Sequence, residues 1–259
     1  MFFSRSSRVA RGSLVAAVAL SIVAATAPAG ALAADDDALI SYPTFKGASK
    51  TLDRNGSADL LTSSGRLHHR ILRLTAGGYK QAGSAWARQK IDLTQSFEST
   101  FKAYLHHARP GADGIAFLVQ TDGPRALGGW GGGMGYRGIK PSVAVEFDTF
   151  QNTTDPNSNH LAVVIGGNPD VHRAVGDPMI PLYGKPFLAR VAYDPANYDL
   201  KVYVKALHRG SQEQLALQHT VNLAAEVDAS SAWVGFTGGT GTALSKQDIY
   251  SWTVDASGA

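Results

Sequence analysis

Residues 146–160 read EFDTFQNTTDPNSNH, and they follow directly on the alternating segment SVAV at 142–145. The alternation predicts a strand over Val143–Phe150, so Glu146 and Asp148, two positions apart, lie on one face of it. The apolar side chains then point to the other face, and these are Val143, Val145 and Phe147. Two adjacent carboxylates repel each other, so the pair requires a solvated face, raised pKa values or a bound cation.

The turn after this strand carries further groups that bind cations. Asn152 and Asp155 offer oxygen atoms, and His160 offers an imidazole nitrogen. Sites with about six to eight oxygen ligands suit Ca²⁺, whereas mixed carboxylate and imidazole sites suit a transition ion such as Mn²⁺. The same residues also fit an acidic strand edge followed by a hydrophilic turn, because Asp-Pro and Asn-Ser are common in turns. The segment alone leaves both interpretations open.

Outside this segment the chain predicts mainly β-structure. Short apolar stretches rich in β-branched and aromatic residues recur between turn residues, which is typical of strands. Nine of them stand out: 71–74, 97–105, 114–119, 142–147, 161–165, 187–193, 199–204, 232–236 and 249–254. The segment Val221–Ala229 is the one that could form a turn of helix. So many strands, with loops of this size, predict an all-β sandwich or jelly roll.

The N-terminal 33 residues read as a secretory signal peptide. A region with three arginines precedes the apolar run Leu14–Thr26, and the small residues Ala31-Leu32-Ala33 form a cleavage signal. The apolar run is shorter than the roughly 20 residues that a membrane-spanning helix needs. We therefore expect no membrane insertion, a secreted protein, and one domain over residues 34–259.

The charge balance bears on the expected partners, and the cysteine content bears on how the domain is stabilised. Three of the 24 Lys and Arg residues lie in the predicted signal peptide, so the remainder balances the 21 Asp and Glu residues. A balanced chain gives no electrostatic reason to expect nucleic acid as a partner. The sequence contains no cysteine, so no disulfide can stabilise the exported domain.

Four separated blocks then resemble one known family. The acidic segment, written E-F-D-T-F-x-N-x-x-D-P-x-x-x-H, resembles the metal-binding signature of the L-type (legume-like) lectins. The other blocks follow in the family's order, and they are ADGIAF at 112–117, GGGMGY at 131–136, and VGFTGGTG at 234–241 with Ser251-Trp252. The resemblance extends over Ile40–Val254. It implies a concanavalin-A-like jelly-roll sandwich of two antiparallel sheets, here a secreted, bacterial-type member.

The resemblance also implies a pair of metal ions. A transition ion, expected to be Mn²⁺, would be held by Glu146, Asp148, Asp155 and His160. Calcium would be held by Asp148, Asp155, the Asn152 side chain and the carbonyl group of Phe150.

The implied sugar site lies above these ions. Asp113 would accept hydrogen bonds from two sugar hydroxyls, and the Asn152 amide and the Gly132 backbone N–H would donate. The Phe150 ring would stack on the sugar, and Thr242 and Ala243 would form a fourth loop. The resemblance further implies a cis peptide bond between Ala112 and Asp113. The expected partners are glycans, bound reversibly, with pairing into homodimers through the back sheet.

Two alternatives share this fold. Certain β-glucanases place two catalytic glutamates in an E-x-D-x-x-E strand, and here the last position is Gln151. An amide cannot exchange a proton, and retaining hydrolysis needs two carboxyl groups. The other alternative is an adhesion or structural domain that binds no ligand, because a fold by itself does not fix a function.

Overall fold

In two long strands of this protein, every second side chain is buried in a core and the others face an outer surface. In this computed structural model, which describes residues 1–2, 38–63 and 69–257, the strand Phe97–His106 alternates buried and half-buried side chains over its ten residues. The strand Phe187–Asp194 does the same over eight. Such alternation arises when one face of a sheet packs on a core.

One antiparallel sheet, here called the back sheet, contains both of these strands. Its members run in the order β14-β13-β12-β7-β16-β4-β3, with β1 paired to β16. Their bounds in chain order are β1 Ile40–Tyr42, β3 Asp59–Thr62, β4 Arg70–Ala76, β7 Phe97–His106, β12 Phe187–Asp194, β13 Asp199–Ala206, β14 Gln214–Thr220 and β16 Lys246–Ala256.

The other antiparallel sheet, here called the front sheet, carries the acidic segment. Its members run in the order β11-β10-β9-β8-β15-β5-β2, with β6 paired to β15. Their bounds are β2 Leu52–Gly56, β5 Ala82–Ala87, β6 Ile91–Asp92, β8 Gly114–Gln120, β9 Ser142–Asp148, β10 His160–Ile165, β11 His172–Gly176 and β15 Ser231–Gly239. The strand that bears Glu146 ends at Asp148, two residues earlier than the alternation predicts.

The described residues contain little helix. One short α-helix, α1, spans Leu223–Glu226 within the segment that the sequence marked as a helical turn, and the Asn222 side chain accepts a hydrogen bond from the Ala225 N–H at its start. Two 3₁₀ turns span Ala48–Lys50 and Gly131–Gly133.

The main core lies between the two sheets. Phe101 and Trp252 enter it from the back sheet, and Phe147 and Phe236 enter it from the front sheet. The Phe101 ring lies 5.3 Å from that of Phe147 and 4.8 Å from that of Phe236, and the Phe236 and Trp252 rings are 4.9 Å apart. Edge-to-face pairs of this kind add to the burial of apolar area, so Phe147 fixes strand β9 from beneath.

The outer face of the front sheet is also covered. Trp86 and Ala144 on this face form a second buried cluster with Met134 and Tyr136 from the loop that follows β8. The Trp86 indole N–H donates to the Ala126 carbonyl at 2.8 Å, which ties that loop to the sheet. Side chains that share a face with Ala144 are therefore shielded from water, and Glu146 is one of them.

The fold class predicted from the sequence is confirmed, because the described chain forms two packed antiparallel sheets with very little helix. The described residues from 38 onwards belong to one compact unit. The predicted signal peptide lies, apart from Met1 and Phe2, outside the described residues. No helix among the described residues has the length and apolar character needed to cross a bilayer.

Candidate functional site

Asp113 is held where strand β8 begins. Its backbone N–H donates to the Gly239 carbonyl at 2.9 Å, and its carbonyl accepts from the Thr149 N–H at 2.9 Å. The Ala112–Asp113 peptide bond is cis, as the resemblance implied. These contacts join the loop that bears Asp113 to the residues that follow Asp148.

The glycine-rich loop packs directly on the acidic segment. The Gly131 N–H donates to the Thr240 carbonyl at 3.0 Å, which fixes the loop against the turn after β15. Gly132 then lies against the Asn152 side chain, since a methyl group at position 132 would come within 2.9 Å of both polar atoms of that amide. The structure thus brings together two residues that are 20 positions apart in the sequence.

The fourth loop reaches the same place. The Gly241 backbone N–H lies close enough to the Asp113 carboxylate to oppose the rise of its pKa, and the Ala112 N–H donates to the Leu244 carbonyl at 3.3 Å. Thr242, which follows Gly241, is exposed, and Ala243 is half-buried. The loops that bear Asp113, Gly132, Asn152 and Thr242 therefore meet at one end of the front sheet.

The Asp113 carboxylate is nearly inaccessible to water. Its Oδ2 atom is buried without a hydrogen-bond partner among the described residues. Burial raises the pKa of Asp113 from its ordinary value of 3.8 to about 7, although the Gly241 N–H acts in the opposite direction. A buried acceptor that lacks a donor is costly, so this oxygen is suited to a donor supplied by a ligand.

Glu146 and Asp148 are fully buried, which excludes the solvated face considered for them above. The Tyr136 hydroxyl donates to Glu146 Oε1, and the Phe150 N–H donates to Asp148 Oδ1 at 2.7 Å. Burial raises the pKa of Glu146 from 4.5 to about 8 and that of Asp148 well above 3.8. Desolvated carboxylates of this kind are stable in the ionised form only beside a cation.

His160 has the tautomer of a metal ligand. Its Nδ1 lies 2.9 Å from the Asn157 carbonyl oxygen. A carbonyl can only accept, so Nδ1 carries the proton and Nε2 keeps its lone pair. That Nε2 is buried without a partner among the described residues, and burial lowers the pKa of the ring.

The turn between β9 and β10 gathers the remaining candidate ligands. The Asn152 backbone N–H donates to Asp155 Oδ2 at 2.6 Å, and this bond orients the Asp155 side chain within the turn. One ligand atom each from Asp148, Asp155 and His160 lie within 4.8 Å of one another. The donor set of buried carboxylates and a lone-pair imidazole fits divalent cations. Phe150, whose ring is half-buried, lies on the same turn.

The sequence reasoning missed His172. This residue opens strand β11, and its Nε2 lies 3.5 Å from Glu146 Oε2 and 3.7 Å from Asp155 Oδ1. Glu146, His160 and His172 form a second group whose ligand atoms lie within 4.8 Å of one another. The sequence contains this histidine shortly after His160, but the family motif ends at His160, so the resemblance assigned no role to His172.

Gln151 does not supply a catalytic group. Its side-chain amide lies 3.4 Å from the carbonyl oxygens of both Asp155 and Pro156, and the residue is exposed. It braces the turn and carries no carboxyl group that could complete a glycosidase pair with Glu146.

Known proteins resemble this chain in sequence and in fold. The family model described as the legume lectin beta-barrel domain matches residues 44–252. A lectin of Onobrychis viciifolia is 31% identical over 181 residues, which are 65% of this chain and 70% of that protein. The structure of basic winged bean lectin with Tn-antigen gives a TM-score of 0.71 at 24% identity, covering 84% of this chain and 97% of that one.

A further structure, the lectin from Bauhinia forficata in complex with GalNAc, gives a TM-score of 0.68 at 26% identity, with 84% of this chain and 97% of that chain covered. These relatives are plant lectins, so they do not support the expectation of a bacterial-type member.

Proposed function

We propose, from the premise that this chain belongs to the family of legume lectin beta-barrel domains, that its four converging loops bind glycans reversibly. Members of this family are carbohydrate-binding lectins, and the chain is accordingly a lectin and not an enzyme.

The observation that carries the proposed site is the buried Oδ2 of Asp113, which has no hydrogen-bond partner in the described part of the chain. In the proposal, Asp113 accepts hydrogen bonds from two sugar hydroxyls, while the Asn152 amide and the Gly132 N–H donate. The Phe150 ring, half-buried on the acidic turn, stacks on the apolar face of the sugar. The exposed Thr242 and the adjacent Ala243 close the site from the fourth loop.

The proposed ions lie beneath this site. Glu146, Asp148, Asp155 and His160 would hold a transition ion, and Asp148, Asp155, Asn152 and the Phe150 carbonyl would hold calcium. When bound, calcium would supply rigidity to the turn that bears Asn152 and Phe150. Binding depends on such preorganisation, because each exchanged hydrogen bond contributes only about 0.5–1.5 kcal/mol.

Two further parts of the proposal concern location and assembly. Residues 1–33 would direct export and be removed, leaving a secreted domain over 34–259. Homodimers would form through the outer face of the back sheet. Sedimentation of the secreted protein would give its mass and therefore its assembly.

A glycan array, run with and without a divalent-ion chelator, tests the proposed site. GalNAc is the first probe, because the Bauhinia forficata lectin was solved with that sugar. Asp113→Asn and Asn152→Ala should each abolish the signal and leave the fold intact. The control Asp122→Asn makes the first of these changes at an exposed position beyond the far end of strand β8 and should bind normally.

The possible results distinguish the proposed sugar site from a structural domain that binds no glycan. Glycan binding that survives in Asp113→Asn, or that chelation does not weaken, would refute the proposed site. Folded, ion-binding protein that recognises no glycan on the array would favour the ligand-free structural domain.

A further inference from the structure

We propose that His172 is a direct ligand of the transition ion, so that the site contains two imidazoles and prefers a nitrogen-favouring ion such as Zn²⁺ to Mn²⁺. The inference rests on the proposed metal dependence of this lectin. It changes the ion that the resemblance implied, and it assigns a role to a residue outside the family motif.

Strand pairing brings His172 to the acidic cluster. His160 opens β10 and His172 opens β11, and these strands are neighbours in the front sheet. The register pairs His172 with Val164 beyond a bulge, and β10 in turn pairs Ala162 with Glu146. The two imidazole rings lie 5.5 Å apart at an angle of 50°, so their Nε2 atoms can face one point between the strands.

Two of the potential ligand atoms around this point make no hydrogen bond within the described part of the chain. Glu146 Oε2 and His160 Nε2 are both buried without a hydrogen bond among the described residues. Both residues are at least 99% buried. Unpartnered buried polar atoms are rare in folded proteins, and here Glu146, His160 and His172 belong to one group of potential metal ligands.

The distances favour a shared cation over a direct ion pair. A charge-assisted hydrogen bond from an imidazolium to a carboxylate is about 2.7–2.9 Å long. His172 Nε2 lies 3.5 Å from Glu146 Oε2 and 3.7 Å from Asp155 Oδ1, nearly equidistant from both and too far to donate well to either. Two atoms bound to one ion at about 2.0–2.2 Å can lie up to roughly 4.3 Å apart, so both separations fit a common ion.

A second imidazole changes which ion is preferred. Divalent affinity rises from Mn²⁺ towards Cu²⁺, with Zn²⁺ well above Mn²⁺, and imidazole ligands suit Zn²⁺, whereas carboxylate and water ligands suit Mn²⁺. A set with one histidine and several carboxylates is compatible with Mn²⁺. Adding the nitrogen of His172 moves the set towards Zn²⁺.

The test uses the full chain without an affinity tag, stripped by chelation and then saturated with Ca²⁺. Titration calorimetry gives the dissociation constants for Zn²⁺ and for Mn²⁺ in the wild type and in His172→Ala. Removing the ligand should weaken Zn²⁺ binding by at least about tenfold and lower the ratio of Zn²⁺ to Mn²⁺ affinity. The control His219→Ala removes a partly buried histidine on strand β14 and should leave that ratio unchanged.

A spectroscopic measurement keeps the inference testable should His172→Ala fail to fold. In the wild type, long-range ¹H–¹⁵N spectra should show two imidazoles whose Nε2 resonances shift when Zn²⁺ is added. The visible spectrum of the Co²⁺-loaded protein should also differ between the wild type and His172→Asn. A single shifted imidazole, or an unchanged ratio of Zn²⁺ to Mn²⁺ affinity in a folded variant, would overturn the assignment.

This failure can be told apart from failure of the proposed function. If the affinity ratio is unchanged but chelation still abolishes glycan binding, only the role of His172 is wrong. If chelated protein binds glycans normally, the metal-dependent sugar site itself is wrong.

Discussion

Gly132→Ala should uncouple sugar binding from folding. The Gly132 backbone is not in the left-handed region, so alanine introduces no backbone strain there. Its methyl group would, however, lie 2.9 Å from both Nδ2 and Oδ1 of Asn152. Carbon atoms do not approach polar atoms so closely without displacement, so the Asn152 amide must move by about half an ångström, beyond the tolerance of a well-aligned hydrogen bond.

The expected loss follows from the hydrogen bonds that Asn152 and Gly132 would make. One or two hydrogen bonds to the sugar are worth about 1–3 kcal/mol together, which corresponds to roughly 5- to 150-fold weaker binding. In ion-free protein, the free energy of unfolding should change by less than about 1 kcal/mol, because the affected amide is half-buried at the rim of the fold.

A control in the same loop makes the result specific. A methyl group at Gly129 would meet the Arg137 side chain at 3.5 Å, an ordinary contact, and its backbone is also outside the left-handed region. Affinity for the glycan found on the array would be measured by calorimetry, with thermal unfolding of each variant alongside. Wild-type affinity in Gly132→Ala, or equal losses in Gly132→Ala and Gly129→Ala, would refute the reasoning.

Two further predictions concern ions and aromatic contacts. In ion-free protein, folded Glu146, with its pKa of about 8 against 4.5, holds a proton that the unfolded chain releases. As the pH is lowered from 7 to below 4.5, the free energy of unfolding of the ion-free protein should therefore rise by about 3 kcal/mol. That of the ion-loaded protein should fall over the same range, because protons displace the ions. Chemical denaturation at each pH measures both, and a change of the same sign in the two forms would contradict the prediction. Trp130 is 51% exposed beside the glycine loop, so Trp130→Ala should weaken binding of extended glycans about threefold or more without altering unfolding, and unchanged affinity on the array would exclude contact with the ring.

Strand β5 is one of the strands missed from the sequence, and its packing is made largely by small residues. Strand β5 reads AGSAWA, with little of the β-branched character that marks a strand. The structure explains this composition by close approach, because a methyl group at Gly83 would lie 2.1 Å from the Leu74 carbonyl oxygen, and one at Gly235 would lie 2.0 Å from that of Ala85. Such contacts between distant segments leave no periodic signal in either segment.

The site was also predictable from the sequence only in part. Alternation alone placed Glu146 and Asp148 on one face, and the structure agrees, but alternation could not show that this face is buried. That burial depends on the loop bearing Tyr136, which packs over the outer face of the front sheet. Asp113 and Gly132 were named only through the resemblance, because nothing local to either residue points to Asn152.

Asn152 connects the ion cluster to the sugar loop through two different ends of one residue. Its backbone N–H donates to Asp155 Oδ2 at 2.6 Å, whereas its side-chain amide contacts Gly132. The side-chain oxygen of Asn152 would also bind calcium, so ion removal and Gly132→Ala both act on the amide end. Because the displaced amide in Gly132→Ala would hold calcium less well, chelation should lower the stability of this variant by less than that of the wild type. Chemical denaturation of both proteins, with and without chelator, measures the two losses. Equal losses would mean that the Asn152 amide does not hold an ion.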